Sequence, residues 1–240
     1  MKTNIEHRKP TNENMLKTII IDDEPAAIEI LERHAQKVPF IEFKKSFFST
    51  AEALAYLHTE TIDLLFLDIQ MPDMLGTDFA RLIQNKPIQI VLTTAYSEYA
   101  VEGFNLQVLD FLIKPIEFSR FLQASNRAYE RMSIAKGEQA SIFVKDGYDW
   151  IRVNLEEILY IQSDTNLLFI YEKNRKISTR MTIKEMLDIL PKDKFIRIHK
   201  SYIVSSKAIQ KIERHQITIE GITIPLSASY KEILEERLIK

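Results

Sequence analysis

The sequence predicts an α/β domain on a five-stranded, doubly wound parallel sheet, followed by a mostly β domain. Three observations carry this. Short apolar runs (TIII, FKKSFF, DLLFL, IQIVLT and VLDFLI) alternate with helix-length amphipathic stretches as far as residue 135. After Ala140 the pattern changes to short alternating segments, rich in β-branched and aromatic residues and broken by Asp, Asn and Gly. The charge balance shifts at the same place: residues 1–140 hold 15 Lys/Arg against 20 Asp/Glu, a net −5, and residues 141–240 hold 17 against 14, a net +3.

Taken in order, residues 1–14 are polar, lack the apolar core of a signal peptide and are expected to be a disordered tail, with Met15 as an alternative start. A helix is predicted over 25–37, with Pro25 in its opening turn and Ile28, Ile30 and Leu31 among its apolar residues. The strand FKKSFF follows, then a helix near 50–58 capped by Ser49 or Thr50, and a strand from about Asp63. Gly76 and Thr77 open a helix to about Gln84, and the next strand spans about 88–93. Helices are expected from Ser97 to Phe104 and from Phe118 to Ala135. The first domain is thus placed at 15–136, a linker at 137–140 and the β domain at 141–240. In the β domain only TIKEMLDIL and YKEILEERLIK have a helical pattern.

Composition excludes several chemistries. Cysteine is absent, so disulfides, thiolate catalysis and cysteine-bound metals are ruled out, and a reducing cytoplasm fits. No apolar stretch approaches the roughly 20 residues needed to span a bilayer, so no membrane association is expected. There is no glycine-rich phosphate loop, zinc spacing, Ser/His/Asp arrangement or helix-turn-helix pattern.

Asp22, Asp23, Asp68, Thr94 and Lys114 each follow or end an apolar run, where a parallel sheet delivers side chains to the crevice outside its carboxyl edge. Three carboxylates gathered there repel one another unless a hard cation such as Mg²⁺ lies between them. Phosphoryl transfer to a carboxylate needs a metal, a nucleophile, a second cation and a hydroxyl donor, and these residues supply that set. With the stretches IIIDDE, LLFLDIQMPDMLG, LTTAYSEYA and LDFLIKPI, the chain up to residue 136 resembles the receiver domain of two-component response regulators, a flavodoxin-like fold. The resemblance implies that Asp68 accepts a phosphoryl group from a sensor histidine kinase. It also implies that Asp22, Asp23, Asp68 and the main-chain carbonyl of Gln70 hold Mg²⁺, that Lys114 pairs with the phosphate before a cis Pro115, and that Thr94 and Phe111 form a switch pair.

In the second half, FIRIHKSYIVSSKAI at 195–209 and the IPLSASY segment resemble the LytTR DNA-binding domain. That implies ten strands whose loops, rather than a helix, enter the major groove of double-stranded promoter DNA. The implied contacts are Asp164 and Asn166 in the turn after ILYIQS, Lys200, Ser205 and Lys207 around YIV, and Ala228 after IPL. The family often has Asn at Ser205 and Arg at Ala228, so base preference is not read from these positions. Arg197 and His199 are either donors to DNA or structural groups, Tyr202 is placed in the core, and so is Trp150. The expected protein is a cytoplasmic, non-enzymatic transcriptional regulator that dimerises on phosphorylation. The competing reading is a receiver-controlled protein-interaction regulator. A phosphatase using Asp68 is disfavoured, because it would require an acid two residues on, where Gln70 stands.

Overall fold

The computed structural model describes residues 15–95, 108–137 and 140–238. The expected tail at 1–14, the helix expected at 97–104 and residues 138–139 of the expected linker lie outside the described residues. The chain divides into two compact units, residues 1–138 and 139–240.

The first unit contains β1 (Leu16–Ile21), α1 (Pro25–Ala35), β2 (Ile41–Phe47), α2 (Thr50–Thr59), β3 (Leu64–Asp68), α3 (Gly76–Leu82), β4 (Gln89–Thr94), β5 (Asp110–Ile113) and α4 (Phe118–Ala135). Its strands form one sheet in the order β2-β1-β3-β4-β5, every pair parallel. A sheet covered on both faces needs apolar side chains on both, which is why β3 reads LLFLD without alternation and is buried throughout. One face packs Ile19, Ile21, Leu65, Leu67 and Leu92 against Leu57, Phe79 and Ile83. On the other face, Phe66 stacks on Phe121 with ring centroids 4.7 Å apart.

Local signals set the helix ends. Ser49 caps α2 by accepting the Glu52 N–H, while Thr50 takes a different role described below. Helix α1 stops at Ala35, two residues short of the sequence reading, because Pro39 biases Val38 away from helical geometry. β1 and β3 are neighbours from which the sheet is wound in opposite directions, so their carboxyl ends border the crevice where such sheets bind ligands.

Among the described residues the second unit contains ten strands, two α-helices and one 3-10 turn: β6 (Ser141–Asp146), β7 (Asp149–Asn154), β8 (Ile158–Asp164), β9 (Leu167–Glu172), β10 (Lys176–Thr179), α5 (Ile183–Ile189), β11 (Phe195–His199), β12 (Tyr202–Ser205), the 3-10 turn Ser206–Ala208, β13 (Lys211–Ile212), β14 (Gln216–Ile219), β15 (Ile222–Pro225) and α6 (Ala228–Leu238). The sheets run β10-β9-β8-β12-β11, β13-β14-β15 and β6-β7. Thr182 and Glu185 form a reciprocal capping box that starts α5, the signal in TIKEMLDIL. Two apolar clusters hold the unit together, one around Ile161, Leu168, Ile170, Met186 and Ile203, the other around Tyr160, Ile198, Val204, Ile217 and Leu234. Tyr202 packs on the second cluster, partly buried. Trp150 differs from the core placement expected of it. It lies half-buried on β7 opposite the exposed Lys145, at the outer end of a two-stranded ribbon that packs through Ile142, Val144 and Val153.

A carboxylate centre and a candidate nucleic-acid interface

The first site forms where β1, β3, β4 and β5 end. Asp22 and Asp23 follow β1, Asp68 is the last residue of β3, Thr94 the last of β4, and Lys114 follows β5. Oxygens of Asp22, Asp23 and Asp68 lie within 4.8 Å of one another, with Asp22 and Asp68 buried and Asp23 exposed. Lys114 Nζ reaches across them, 2.9 Å from Asp22 Oδ2, 3.0 Å from Glu24 Oε2 and 3.4 Å from Asp68 Oδ1. Its main-chain N–H donates to the Thr94 carbonyl at 2.7 Å, so pairing of β4 and β5 continues up to the lysine and fixes where its side chain starts. The Lys114–Pro115 bond is cis. His34 on α1 lies with Nε2 2.9 Å from the Ile116 carbonyl, tying the same segment to the helix layer.

Electrostatics at this centre are those of charges taken out of water. Burial, and then the neighbouring Asp22, push the Asp68 carboxyl up to about 6. Burial also raises Asp22, although Lys114 and the Glu24 N–H oppose it. For Lys114 burial acts downward, and the hydrogen bond and charge of Asp22 outweigh it to raise the ammonium. Asp22 Oδ2 has the charge of Lys114 beside it but no aligned hydrogen-bond donor. A buried carboxylate oxygen left in that condition, with two more carboxylates in reach, fits a hard cation with oxygen ligands.

Three residues the sequence reading did not assign to the site hold the loop after Asp68. Asp73 Oδ2 accepts from the Thr50 N–H and hydroxyl, both at 2.8 Å, and from the Ala51 N–H at 3.2 Å, so the loop is tied to the start of α2. Gly76 donates its N–H to the Ile69 carbonyl at 2.8 Å. A Cβ at Gly76 would sit 2.0 Å from the Asp68 carbonyl oxygen, so only glycine allows this approach. Glu24 completes the Lys114 set. Its signal was its place in DDE, whereas the Asp73–Thr50 pairing spans 23 residues and has no local signature. Gln70 is an exposed residue of this loop, and Phe111 on β5 is half-buried against the core cluster beside Leu92.

In the second unit the candidate contact residues separate into two groups. Strand β12 runs antiparallel to β8, with Tyr202 opposite Gln162 and Val204 opposite Tyr160, and the Ser163 N–H donates to the Ser201 carbonyl at 2.8 Å. The β11–β12 turn carrying Lys200 therefore lies beside the β8–β9 tip carrying Asp164 and Asn166. Ala228 belongs to this end too, as the first residue of α6 rather than of a loop, because the Ser227 N–H donates to the Ile198 carbonyl at 3.0 Å. Thr165, between Asp164 and Asn166, takes a φ of 53°, a left-handed conformation disfavoured for a β-branched residue. Ser205 and Lys207 lie at the opposite end, on the order of 10 Å away by the rise of the four-residue β12.

Arg197 and His199 are structural here: the Arg197 guanidinium donates to the His199 and Lys200 carbonyls at 3.2 and 2.9 Å, and His199 Nδ1 accepts the Ser201 N–H. Ser205 departs from its expected contact role. It is 1% exposed at the end of β12, paired with Phe195, so its hydroxyl is not presented to a base edge. Lys200, Lys207, Asp164, Asn166 and Ala228 are exposed.

These two constructions have known counterparts. Residues 18–126 match the response regulator receiver domain family, and residues 148–239 match the LytTr DNA-binding domain family. The sensory transduction protein LytT of Enterococcus faecalis is 29% identical over 239 residues, covering 93% of this chain and 99% of that protein. The transcriptional regulatory protein BtsR of Salmonella typhi is 28% identical over 241 residues, covering 93% and 99%. The response regulatory domain of protein mrkE from Klebsiella pneumoniae, a crystal structure, is 31% identical with a TM-score of 0.46, covering 48% of this chain and 99% of that one. With a receiver domain ahead of a LytTR DNA-binding domain, the chain is a response regulator, and its full-length relatives are LytT-like response regulators.

Proposed function

We propose that Asp68 accepts a phosphoryl group from a sensor histidine kinase, and that this shifts the chain towards a homodimer that binds repeated sites in double-stranded promoter DNA. The protein is a phosphorylation-dependent transcriptional regulator, with residues 15–136 as receiver and 141–240 as DNA-binding domain. The observation that carries the reading is Lys114 Nζ, within 2.9 to 3.4 Å of Asp22 and Asp68 on the sheet edge they share with Asp23.

In the transfer, an ionised Asp68 oxygen attacks phosphorus, the P–N bond to the kinase imidazole breaks, and the imidazole leaves with the electron pair and takes a proton. Asp22, Asp23, Asp68 and the Gln70 carbonyl would hold Mg²⁺, which supplies neutralisation of phosphoryl oxygens. Lys114, which pairs with three carboxylates in the free site, pairs with the phosphoryl group once one of those carboxylates has been esterified. Thr94 and Phe111 then move towards it, and the face built from β5, α4 and the helix expected at 97–104 becomes the dimer surface. In the DNA-binding domain, two groups of contacts on the order of 10 Å apart match about three base pairs of duplex at 3.4 Å each. No helix among the described residues is long and apolar enough to cross a membrane, and a cytoplasmic regulator accords with that.

The test is binding of a promoter fragment by the full chain, with and without beryllium fluoride and Mg²⁺. Tighter binding with the phosphate mimic is expected. Equal affinity in both conditions would break the link between Asp68 and DNA and would favour a receiver-controlled protein-interaction regulator.

A further inference from the structure

Glu156 lies in the turn between β7 and β8, and two lysines from distant segments converge on it. One carboxylate oxygen is 2.9 Å from Nζ of Lys194, just before β11, and the other bonds Nζ of Lys207, in the turn after β12. The three side chains are 40%, 44% and 51% exposed for Glu156, Lys194 and Lys207, a range in which an ion pair contributes only about 0–1 kcal/mol. The fold therefore has little need of the pairing.

The segments that carry the two lysines do not depend on Glu156 to be neighbours. Ser206 donates both its N–H, at 2.9 Å, and its hydroxyl, at 3.0 Å, to the Lys194 carbonyl, which clamps the Lys207 turn onto the start of β11. Main-chain geometry thus sets two lysines side by side, both within reach of one oxyanion. The hydrogen bonds of Lys207 and Lys194 hold the Glu156 carboxyl below its usual range.

We propose that Lys194 and Lys207 form a binding pair for a DNA backbone phosphate, and that the Glu156 carboxylate occupies that place as an internal competitor. The inference rests on the DNA-binding reading above and adds to it a contact residue, Lys194, and a group that limits affinity. DNA docking here must displace Glu156. The effect is blind to sequence, since a phosphate carries no base information.

The experiment measures full-chain binding to a random-sequence duplex of about 30 base pairs across a salt series. The proteins are the wild type, Glu156→Gln, Lys194→Ala/Lys207→Ala, and all three substitutions together. Glu156→Gln is expected to tighten binding about 3- to 10-fold at low salt, the worth of one or two exposed ion pairs. The double lysine variant should bind more weakly, with a log–log salt slope shallower by up to about two units. In that background Glu156→Gln should have no effect. Glu156→Ala, with thermal melts for all variants, separates loss of charge from loss of fold. The proposal is overturned if Glu156→Gln binds like a wild type that shows salt-dependent binding, or if it tightens binding equally without the lysines. If no variant binds duplex at all, the DNA-binding reading falls together with it.

Discussion

In the receiver, side chains at the ends of β1, β3 and β5 meet at one point, with Asp22 and Asp68 buried, whereas in the β domain the exposed candidate contacts occupy both ends of one sheet. The difference follows from the partners. Bond-making needs groups within a few ångströms, so Asp22, Asp68 and Lys114 are desolvated against one another despite their resistance to burial. A duplex is long and charged throughout, so a surface that binds it can be spread out and hydrated. Substitutions should therefore act in an all-or-none way in the first region and by small increments in the second.

The largest expected effect is at Asp68. Asp68→Asn keeps the shape of the side chain but removes the nucleophile, and labelling by a small-molecule phosphodonor should drop to background while circular dichroism is unchanged. Labelling at the wild-type level would remove Asp68 from its role and dissolve the contrast between the two regions. Next is Gly76→Ala. The added methyl would meet the Asp68 main-chain carbonyl at 2.0 Å, and backbone cannot swing aside as a side chain can. A loss of about 3 kcal/mol in denaturant unfolding is expected, together with slower phosphorylation, because the displaced residue is the proposed acceptor. A variant as stable as the parent would show that the loop has more freedom than its hydrogen bonds suggest.

The buried charge can be sharpened by pH. Burial first, and Asp22 second, lift the Asp68 carboxyl to about 6 in the folded, metal-free protein, against an unfolded value near 4. The folded state then binds the proton more tightly than the unfolded one. This stabilising contribution is complete below about pH 4 and is lost as pH rises through about 6. Asp68→Asn does not titrate, so without Mg²⁺ it should gain on the wild type by about 2 kcal/mol between pH 4 and pH 7.5. A stability difference that stays flat over that range would mean the carboxylate is better solvated than its position at the end of β3 implies.

The same comparison explains what could be read from the chain. Runs such as LLFLD and QIVLTT are apolar throughout because both sheet faces are covered, and each ends on the residue that the sheet must present at its edge. The fold and the place of the receiver centre were therefore legible from strand ends, whereas the cis bond before Pro115 followed from the family resemblance. Groups that act through a partner distant in sequence were not. Asp73 binding Thr50, and Glu156 between Lys194 and Lys207, join segments 23, 38 and 51 residues apart. Ser205 was misplaced for a related reason. The alternation of SYIVSS does not say where β12 stops, and the strand runs one residue further than a loop contact allows. Trp150 was assigned to the core, but the two-stranded ribbon it sits on packs through the smaller residues Ile142, Val144 and Val153.

The smallest effects are expected in the β domain. Lys200→Ala, at the end shared with Asp164 and Asn166, and Lys207→Ala, at the other end, should each weaken binding to all sequences alike and reduce the salt slope by roughly one unit. They should also be additive, because the two lysines lie at opposite ends of β12, on the order of 10 Å apart, and no contact among the described residues joins them. Ser205→Ala is the discriminating control. Its side chain is 1% exposed, so removing the hydroxyl should leave both the salt slope and the discrimination between bases as they were, within about 2-fold in affinity. Competition between duplexes differing at single base pairs is the measurement. If Ser205→Ala relaxed discrimination without lowering the melting temperature, the serine would have to turn outward on DNA. The end of β12 would then open in the complex, and the β domain would share with the receiver the property of presenting a buried polar group only to its partner.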